Sequence, residues 1–573
     1  MLKIKNYILP HGWYILLTLG IKFFATIMEL LIPVFMRTIV DEKVPQGDIT
    51  QIYLYGGIML LCAALALITN IRANQMTATS AGRITRALRH DLFQKLEHFS
   101  CRQMDEITTS SAVSRLTSDT YNVNQLLTRV QRMGIRAPIL LLGGIVMMMS
   151  MDWVLSLVLV ALLPGISYLV YKVTKTTVPL FRQVQDIQDD VVRVCQENIT
   201  GVRVIKALSK TEYEKARFNE INEQHNATAL KAATINNITA PVTNLILNLG
   251  LTLVVVVGAY RVNSGHIEGG VILAFLQYFI MMLNATLGLT RIFIMWSKGE
   301  ASAQRIAQVL SEPEDLLVLT QEQPEENAPH IEFRDVSFSY TGIGKNLDHL
   351  SFRLEHGQTL GILGPTGAGK STILNLLLRL YDPDSGQILI DGRDLRTIPP
   401  EQLRKKFGIV FQNDFITEGT VADNLRFFRD IDNASLEQAA RDAQADYIWE
   451  KPGAMDAEVV VRGNNLSGGQ KQRLLIGRAL ASDPEILVLD DASSALDYQT
   501  DSNLRKALRK NYRNTTTLLV AQRVSSLRHA DLILMLDDSQ VIGAGDHAHL
   551  MATCEEYRII AETQMGEGQE VVS

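Results

Sequence analysis

The chain has 573 residues, 47% hydrophobic and 20% charged, with a formal net charge of -6, which is length enough for more than one domain. That balance offers no basic surface for nucleic acid. The four cysteines, Cys62, Cys101, Cys195 and Cys554, show no C-x-x-C spacing and so support neither a disulfide framework nor a zinc knuckle. The averages join two unlike parts, with long apolar runs in roughly the first 300 residues and a soluble α/β pattern after them.

Lys3 and Lys5 precede an apolar segment that is too long for a signal h-region and has no small-residue cleavage site, so it reads as a retained membrane span. Six stretches are apolar enough to cross a bilayer as helices of about 20 residues. They lie near Trp13–Met36, Ile52–Thr69, Ala137–Met151, Trp153–Val173, Val242–Tyr260 and Val271–Trp296. Short connections join them in pairs at Val40–Thr50, Met151-Asp152 and Arg261–Gly270. Between pairs lie Asn70–Arg136 and Thr174–Ala240, too long for loops and rich in helix formers, so helices continuing past the bilayer are expected there.

The long segments carry Arg83, Arg86, Arg89, Lys95, Lys206, Lys210 and Lys215, whereas the first short connection carries Asp41, Glu42 and Asp48. The positive-inside rule places the long segments, and with them both chain ends, in the cytoplasm of a cell membrane protein. Glu29, four residues before Pro33, either pairs with a cation in a cavity or satisfies backbone freed at the proline. Gln277, Asn284 and Thr286, with Tyr278, Phe279, Met281 and Met282, make the last span amphipathic. Such residues suit either a cavity for apolar ligands or helix packing. Arg102–Thr109 and Asn198–Thr211 read as short elements at the tips of the excursions, each able to dock on a soluble domain. Ser311–Pro329, acidic and holding Pro313, Pro324 and Pro329, reads as an exposed linker.

From His330 the pattern turns to short β-rich runs, Ile331-Glu332-Phe333 and Val336–Tyr340. The apolar strand Thr359–Leu363 runs into Gly364-Pro365-Thr366-Gly367-Ala368-Gly369-Lys370-Ser371, and Thr372 continues the helix that follows. Strand, glycine loop, Lys-Ser and helix make a phosphate-binding P-loop. Its glycines turn backbone N–H groups toward phosphate oxygens, Lys370 reaches the β- and γ-phosphates, and the Ser371 hydroxyl ligates Mg²⁺. Ile486–Asp490 is a buried strand ending in an acid, which delivers Asp490 to the same Mg²⁺. A nucleoside triphosphate with Mg²⁺ is the expected ligand.

Between these motifs stands Leu466-Ser467-Gly468-Gly469-Gln470, and with it the chain resembles an ATP-binding cassette (ABC) exporter of the half-transporter type. The resemblance covers essentially the whole chain. It implies that Tyr340 stacks on adenine, that Gln412 in Val410-Phe411-Gln412 senses Mg²⁺, and that Glu458 with Arg462-Gly463 contacts coupling helices. It also implies that Ser494–Asp497 is the D-loop and that Arg102–Thr109 and Asn198–Thr211 are the coupling helices. Two cassettes pair head to tail in this family, so Ser467, Gly468, Gly469, Gln470 and Asp497 would serve the site of a second subunit. The signature glycines open a helix whose N-terminus favours a phosphate, which agrees with that role. The expected fold is an α-helical six-span transmembrane domain with cytoplasmic extensions (1–310), a linker (311–329) and an α/β P-loop NTPase domain (330–573).

Two positions depart from the family. Asp491 stands where a Glu polarises the attacking water, withdrawing the carboxylate by about 1 Å, and a misplacement of that size can cost about 10²-fold in rate. Gln522, in Val520-Ala521-Gln522-Arg523, stands where the family has a switch His, and an amide neither carries charge nor relays a proton. With every binding element kept, the expectation is ATP held but cleaved slowly, in the degenerate-site subunit of a heterodimeric bacterial exporter. Its cargo is expected to be amphipathic, drug-like or lipid-like. A homodimeric exporter of lipid or peptide is the alternative within the class, and an ATP-gated channel or sensor the alternative outside it.

Overall fold

The structure is a computed structural model that describes residues 2–565 apart from 314, 321, 322, 324, 326 and 413, so Pro324 of the expected linker lies outside the described residues. The chain divides into two compact units, Met1–Glu97 with Ser110–Glu312, and His98–Thr109 with Pro313–Ser573.

The first unit is helical. Ile49–Glu97 is one helix of 49 residues, about 74 Å long at 1.5 Å per residue, against about 30 Å of bilayer hydrocarbon. The helices Trp153–Thr200 and Gly269–Ser311, of 48 and 43 residues, overrun a bilayer in the same way. Among the described residues five helical stretches are long and apolar enough to cross a membrane: Lys5–Lys43, Ile49–Glu97, Thr109–Met151, Asn244–Asn263 and Gly269–Thr286. The other expected span, Trp153–Val173, is helical, and several of its side chains lie outside the description. Large apolar side chains such as Trp13, Tyr53 and Leu60 face outward, the arrangement a hydrocarbon solvent asks for.

Of the two readings of Glu29, pairing with a cation is the one seen. Its carboxylate accepts from Arg136 Nη2 at 2.8 Å and from Asn70 Nδ2 at 2.9 Å. Asn70 in turn accepts from the buried Lys22 ammonium at 2.6 Å. The cation that Glu29 pairs with is therefore a neighbouring helix's arginine. In the turn that Pro33 interrupts, the Tyr278 hydroxyl donates to the Leu30 carbonyl at 2.6 Å. Tyr278, Phe279 and Met282 are fully buried in a cluster with Phe275, Met148 and Leu30, so these three side chains pack helices together. Gln277 and Asn284 lie exposed on the other face.

In the second unit, a six-stranded sheet runs in the order Gln540–Gly545, Leu532–Asp537, Thr359–Leu363, Thr516–Val520, Ile486–Asp490 and Phe407–Val410. Only the first pairing is antiparallel. A four-stranded sheet, Leu347–Leu354, Ile331–Phe338, Ser385–Ile390 and Arg393–Asp394, is antiparallel. Every residue of Ile486–Asp490 is buried, which is why that strand reads as an unbroken apolar run rather than an alternation. The short helix Cys101–Ile107, set off by a Ser100–Gln103 capping box, belongs to this unit. Ser100 Oγ donates to Asp315 at 2.6 Å, Gln103 Nε2 to the Pro313 carbonyl at 2.6 Å, and Tyr381 OH to Asp105 at 2.6 Å. The linker is also tied down further along, with Leu317 accepting from buried Arg379 at 2.7 Å. By contrast the helix Val202–Ala207 of the first unit buries none of its residues.

Candidate functional site

Register decides where the site forms. Val520 lies opposite both Ile362 and Asp490, and Val410 opposite Leu489. The carboxyl ends of four parallel strands therefore open on one edge, the position at which sheets of this kind bind ligands. The chain leaves those ends as Gly364, Phe411, Asp491 and Ala521.

The P-loop is shaped by its glycines. Gly367 and Gly369 hold φ of +91° and +97°, conformations that L side chains avoid. A Cβ on Gly369 would stand 2.5 Å from the Asn346 carbonyl, and one on Gly364 2.4 Å from the Leu536 carbonyl. Ala368 and Thr372 are buried beneath the loop. Lys370 opens the helix Lys370–Leu377 and bends back, its ammonium donating to the Gly364 and Pro365 carbonyls at 2.8 and 2.7 Å. Gly364, Pro365, Thr366, Lys370 and Gln522 line a cavity of about 500 Å³. These features fit a polyphosphate: a backbone cradle that any side chain would fill, a helix N-terminus and a cation at its rim.

Ser371 Oγ donates to Asp490 at 3.0 Å, which brings two hard oxygen ligands together as Mg²⁺ requires. Burial pushes the Asp490 carboxyl above its ordinary value and the Asp491 charge adds to this, while the Ser371 hydrogen bond and Lys370 oppose it. Asp491 is raised chiefly by burial, against Lys370 and Arg523. Burial also lowers Lys370, and the two carboxylates resist that. Gln412 stands exposed beyond the end of the neighbouring strand, at the same edge as the Ser371–Asp490 pair but outside it.

The two departing residues touch: Gln522 Nε2 donates to Asp491 Oδ2 at 3.2 Å. They also line a second cavity, of about 390 Å³, with Ser494 and Arg523. Tyr340 lies past the end of its strand, half-buried, with its hydroxyl accepting from Asn375 at 2.9 Å and its ring edge-on to Tyr381 at 5.1 Å.

Ser467 caps the helix Gly468–Leu480 in a reciprocal capping box with Gln470, which presents the backbone of Gly468 and Gly469 at the helix start. Asp497 caps the helix Tyr498–Asn511, taking the Thr500 N–H at 2.9 Å. Backbone and hydroxyl hydrogen bonds from Thr500 hold its carboxyl below the usual range. None of Ser467, Gly468, Gly469, Gln470 or Asp497 lines either cavity. Arg462 and Gly463 both adopt positive φ, 58° and 59°, beside the two-residue strand Glu458–Val459.

Several contacts are invisible to motif reading. Gln472, on the signature helix, donates to Ser494 Oγ at 3.0 Å and accepts the Ala495 N–H at 2.9 Å, while Ser494 Oγ reaches the Asp491 carbonyl at 2.9 Å. Nothing in its spacing marks Gln472 from any other helical amide. Tyr381 and Asp105 lie 276 residues apart and meet only once the chain has folded.

Family models for the ABC transporter transmembrane region and for the ABC transporter match residues 15–286 and 347–494. An uncharacterised ABC transporter ATP-binding protein of Bacillus subtilis (strain 168), YfiB, is 32% identical over 100% of both chains. Another, of Mycobacterium bovis, is 32% identical over 98% of this chain and 97% of its own. The fold is similar to that of a bacterial Atm1-family ABC exporter solved with ATP bound, with a TM-score of 0.79, 24% identity and 99% of each chain covered. With the membrane region and the ATPase region both matched, and relatives above 30% identity over nearly the whole length, the chain belongs to the ABC transporters.

Proposed function

We propose that this chain is the ATP-holding, hydrolysis-impaired half of a heterodimeric exporter. The observation that carries the reading is the Asp491–Gln522 pair, at 3.2 Å. The carboxylate that would orient water is one methylene short, and its hydrogen-bond partner is a neutral amide that can neither accept nor pass on a proton. Gly364–Thr372, Tyr340, Ser371, Asp490 and Gln412 remain fit to hold ATP and Mg²⁺. Bound Mg²⁺ would supply charge neutralisation at the phosphates. This chain's residues bind and orient: the loop backbone holds phosphate oxygens, Lys370 faces them, and Ser371 and Asp490 hold the metal.

Ser467–Gln470 and Asp497, which line neither the P-loop cavity nor the one beside Asp491, are then free to complete the site of a second half-transporter. The helix Val202–Ala207, with Val204 61% and Leu208 65% exposed nearby, suits docking on that subunit. The basic residues of the long segments, against the acidic first short connection, support a cytoplasmic position for both chain ends. The cargo is an amphipathic small molecule, drug-like or lipid-like, and the exposed Gln277 and Asn284 on the last span suit one.

The test is single-turnover hydrolysis by the purified pair. Wild type should cleave about one of two bound ATP rapidly, and Asp491→Glu with Gln522→His should speed the second by about 10- to 100-fold. Brisk hydrolysis and cargo flux by this chain alone would overturn the reading in favour of a homodimer. ATP-opened flux that runs only down a gradient would favour a channel.

A further inference from the structure

Three polar side chains outside the P-loop meet at one end of the antiparallel sheet. Ile331 pairs with Ile390 on one side and Leu354 on the other. The residue before Ile331 and the one after Ile390 are His330 and Asp391, joined by the Asp391 N–H to the His330 carbonyl at 3.1 Å. Two residues past Leu354 comes His356. The ends of three neighbouring strands thus bring three potential donors together.

We infer that His330, His356 and Asp391 form a binding site for a divalent transition metal of the zinc class. One donor atom from each lies within 4.8 Å of the others. His330 is 1% exposed, and its Nε2 has no hydrogen-bond partner, a state that costs folding free energy unless something fills it. Its other nitrogen, Nδ1, lies 2.7 Å from Thr516 Oγ1. That hydroxyl already accepts the Gly357 N–H at 3.0 Å and points its own hydrogen at the Glu355 carbonyl at 3.5 Å. In the tautomer whose Nδ1–H donates to that hydroxyl, Nε2 carries the free lone pair, the outer-sphere pattern that orients histidine ligands.

Asp391 divides its oxygens. One lies 3.1 Å from His356 Nε2, the other 3.5 Å from Lys406. The first distance is already near the ligand–ligand spacing of about 3.4 Å that ~2.1 Å bonds impose around a tetrahedral ion. The two imidazoles stack, at 3.9 Å and 12°, so their lone pairs lie side by side. Coordination requires His356 to turn out of the stack, and its side chain, 62% exposed, has the room. Two imidazoles and a carboxylate suit Zn²⁺, Co²⁺ or Ni²⁺ over Mg²⁺ or Ca²⁺. With three protein ligands, water would hold the fourth position. The ion would pin the start of the first strand to two neighbouring turns.

The test uses the full chain in detergent, purification tag removed and metal stripped, titrated with Zn²⁺ by calorimetry and with Co²⁺ by visible absorption. Wild type should take one Zn²⁺ per chain, give a tetrahedral Co²⁺ spectrum and rise in melting temperature with Zn²⁺. His356→Ala and Asp391→Asn should each weaken binding at least tenfold and abolish that spectrum. Both positions are solvent-accessible, so these variants carry the test even if a change at buried His330 prevents folding. Unchanged affinity in both variants, an octahedral spectrum, or no Zn²⁺ uptake by wild type would overturn the site.

Discussion

Asp491 and Gln522 lie 31 residues apart, and each was readable as a departure because its motif is local. Their hydrogen bond was not readable, since it exists only through the register that sets Val520 opposite Asp490. Asp490 illustrates what a binding site costs its own fold. Its folded-state pKa is raised by burial, so the folded protein holds that proton more tightly than the unfolded chain does. The associated stability is complete below the ordinary carboxylate value, about 4, and is lost as pH rises through the raised one. Asp490→Asn should therefore raise the melting temperature of the nucleotide-free protein at pH 7 and leave it unchanged near pH 4, while Mg²⁺-dependent ATP binding disappears. Thermal unfolding across that range, with and without MgATP, checks both halves.

Elements were more legible than the contacts between them. Apolar runs and the length of Asn70–Arg136 foretold helices that overrun the bilayer, because period and length are properties of the chain itself. The roles of Glu29 and of Tyr278 depend instead on which neighbouring helix comes alongside, and there the sequence left alternatives open. The same holds for Cys101–Ile107. Its position was readable, but its hold on Tyr381, whose ring meets Tyr340 edge-on at 5.1 Å, was not. Burial and the Asp105 hydrogen bond hold the Tyr381 hydroxyl well above its usual pKa, so the bond persists across physiological pH. Tyr381→Phe keeps the ring contacts and deletes that bond, which is worth about 0.5–1.5 kcal/mol. In proteoliposomes it should leave ATP affinity unchanged and lower cargo moved per ATP hydrolysed by about two- to tenfold.

At the scale of the whole molecule, membership of the ABC transporters follows from both halves, and the proposed pairing makes an asymmetric demand. Gly468 has room for a side chain, since its Cβ would meet nothing nearer than 3.7 Å. Gly468→Asp should therefore fold, yet set a negative charge against the partner's ATP. In the heterodimer it should reduce steady-state hydrolysis by about 10²-fold or more, whereas Lys370→Ala in the same chain should slow it only a few-fold. Equal losses from the two changes would mean that both sites fire alike. Gln472 gives this asymmetry a further meaning. Its amide fastens the loop following Asp491 to the helix Gly468–Leu480, which the proposal sets against the neighbour. Under the proposed pairing, a nucleotide that lingers in the quiet pocket would work as a tuning peg, setting the pitch of the companion's engine without being burned as fuel.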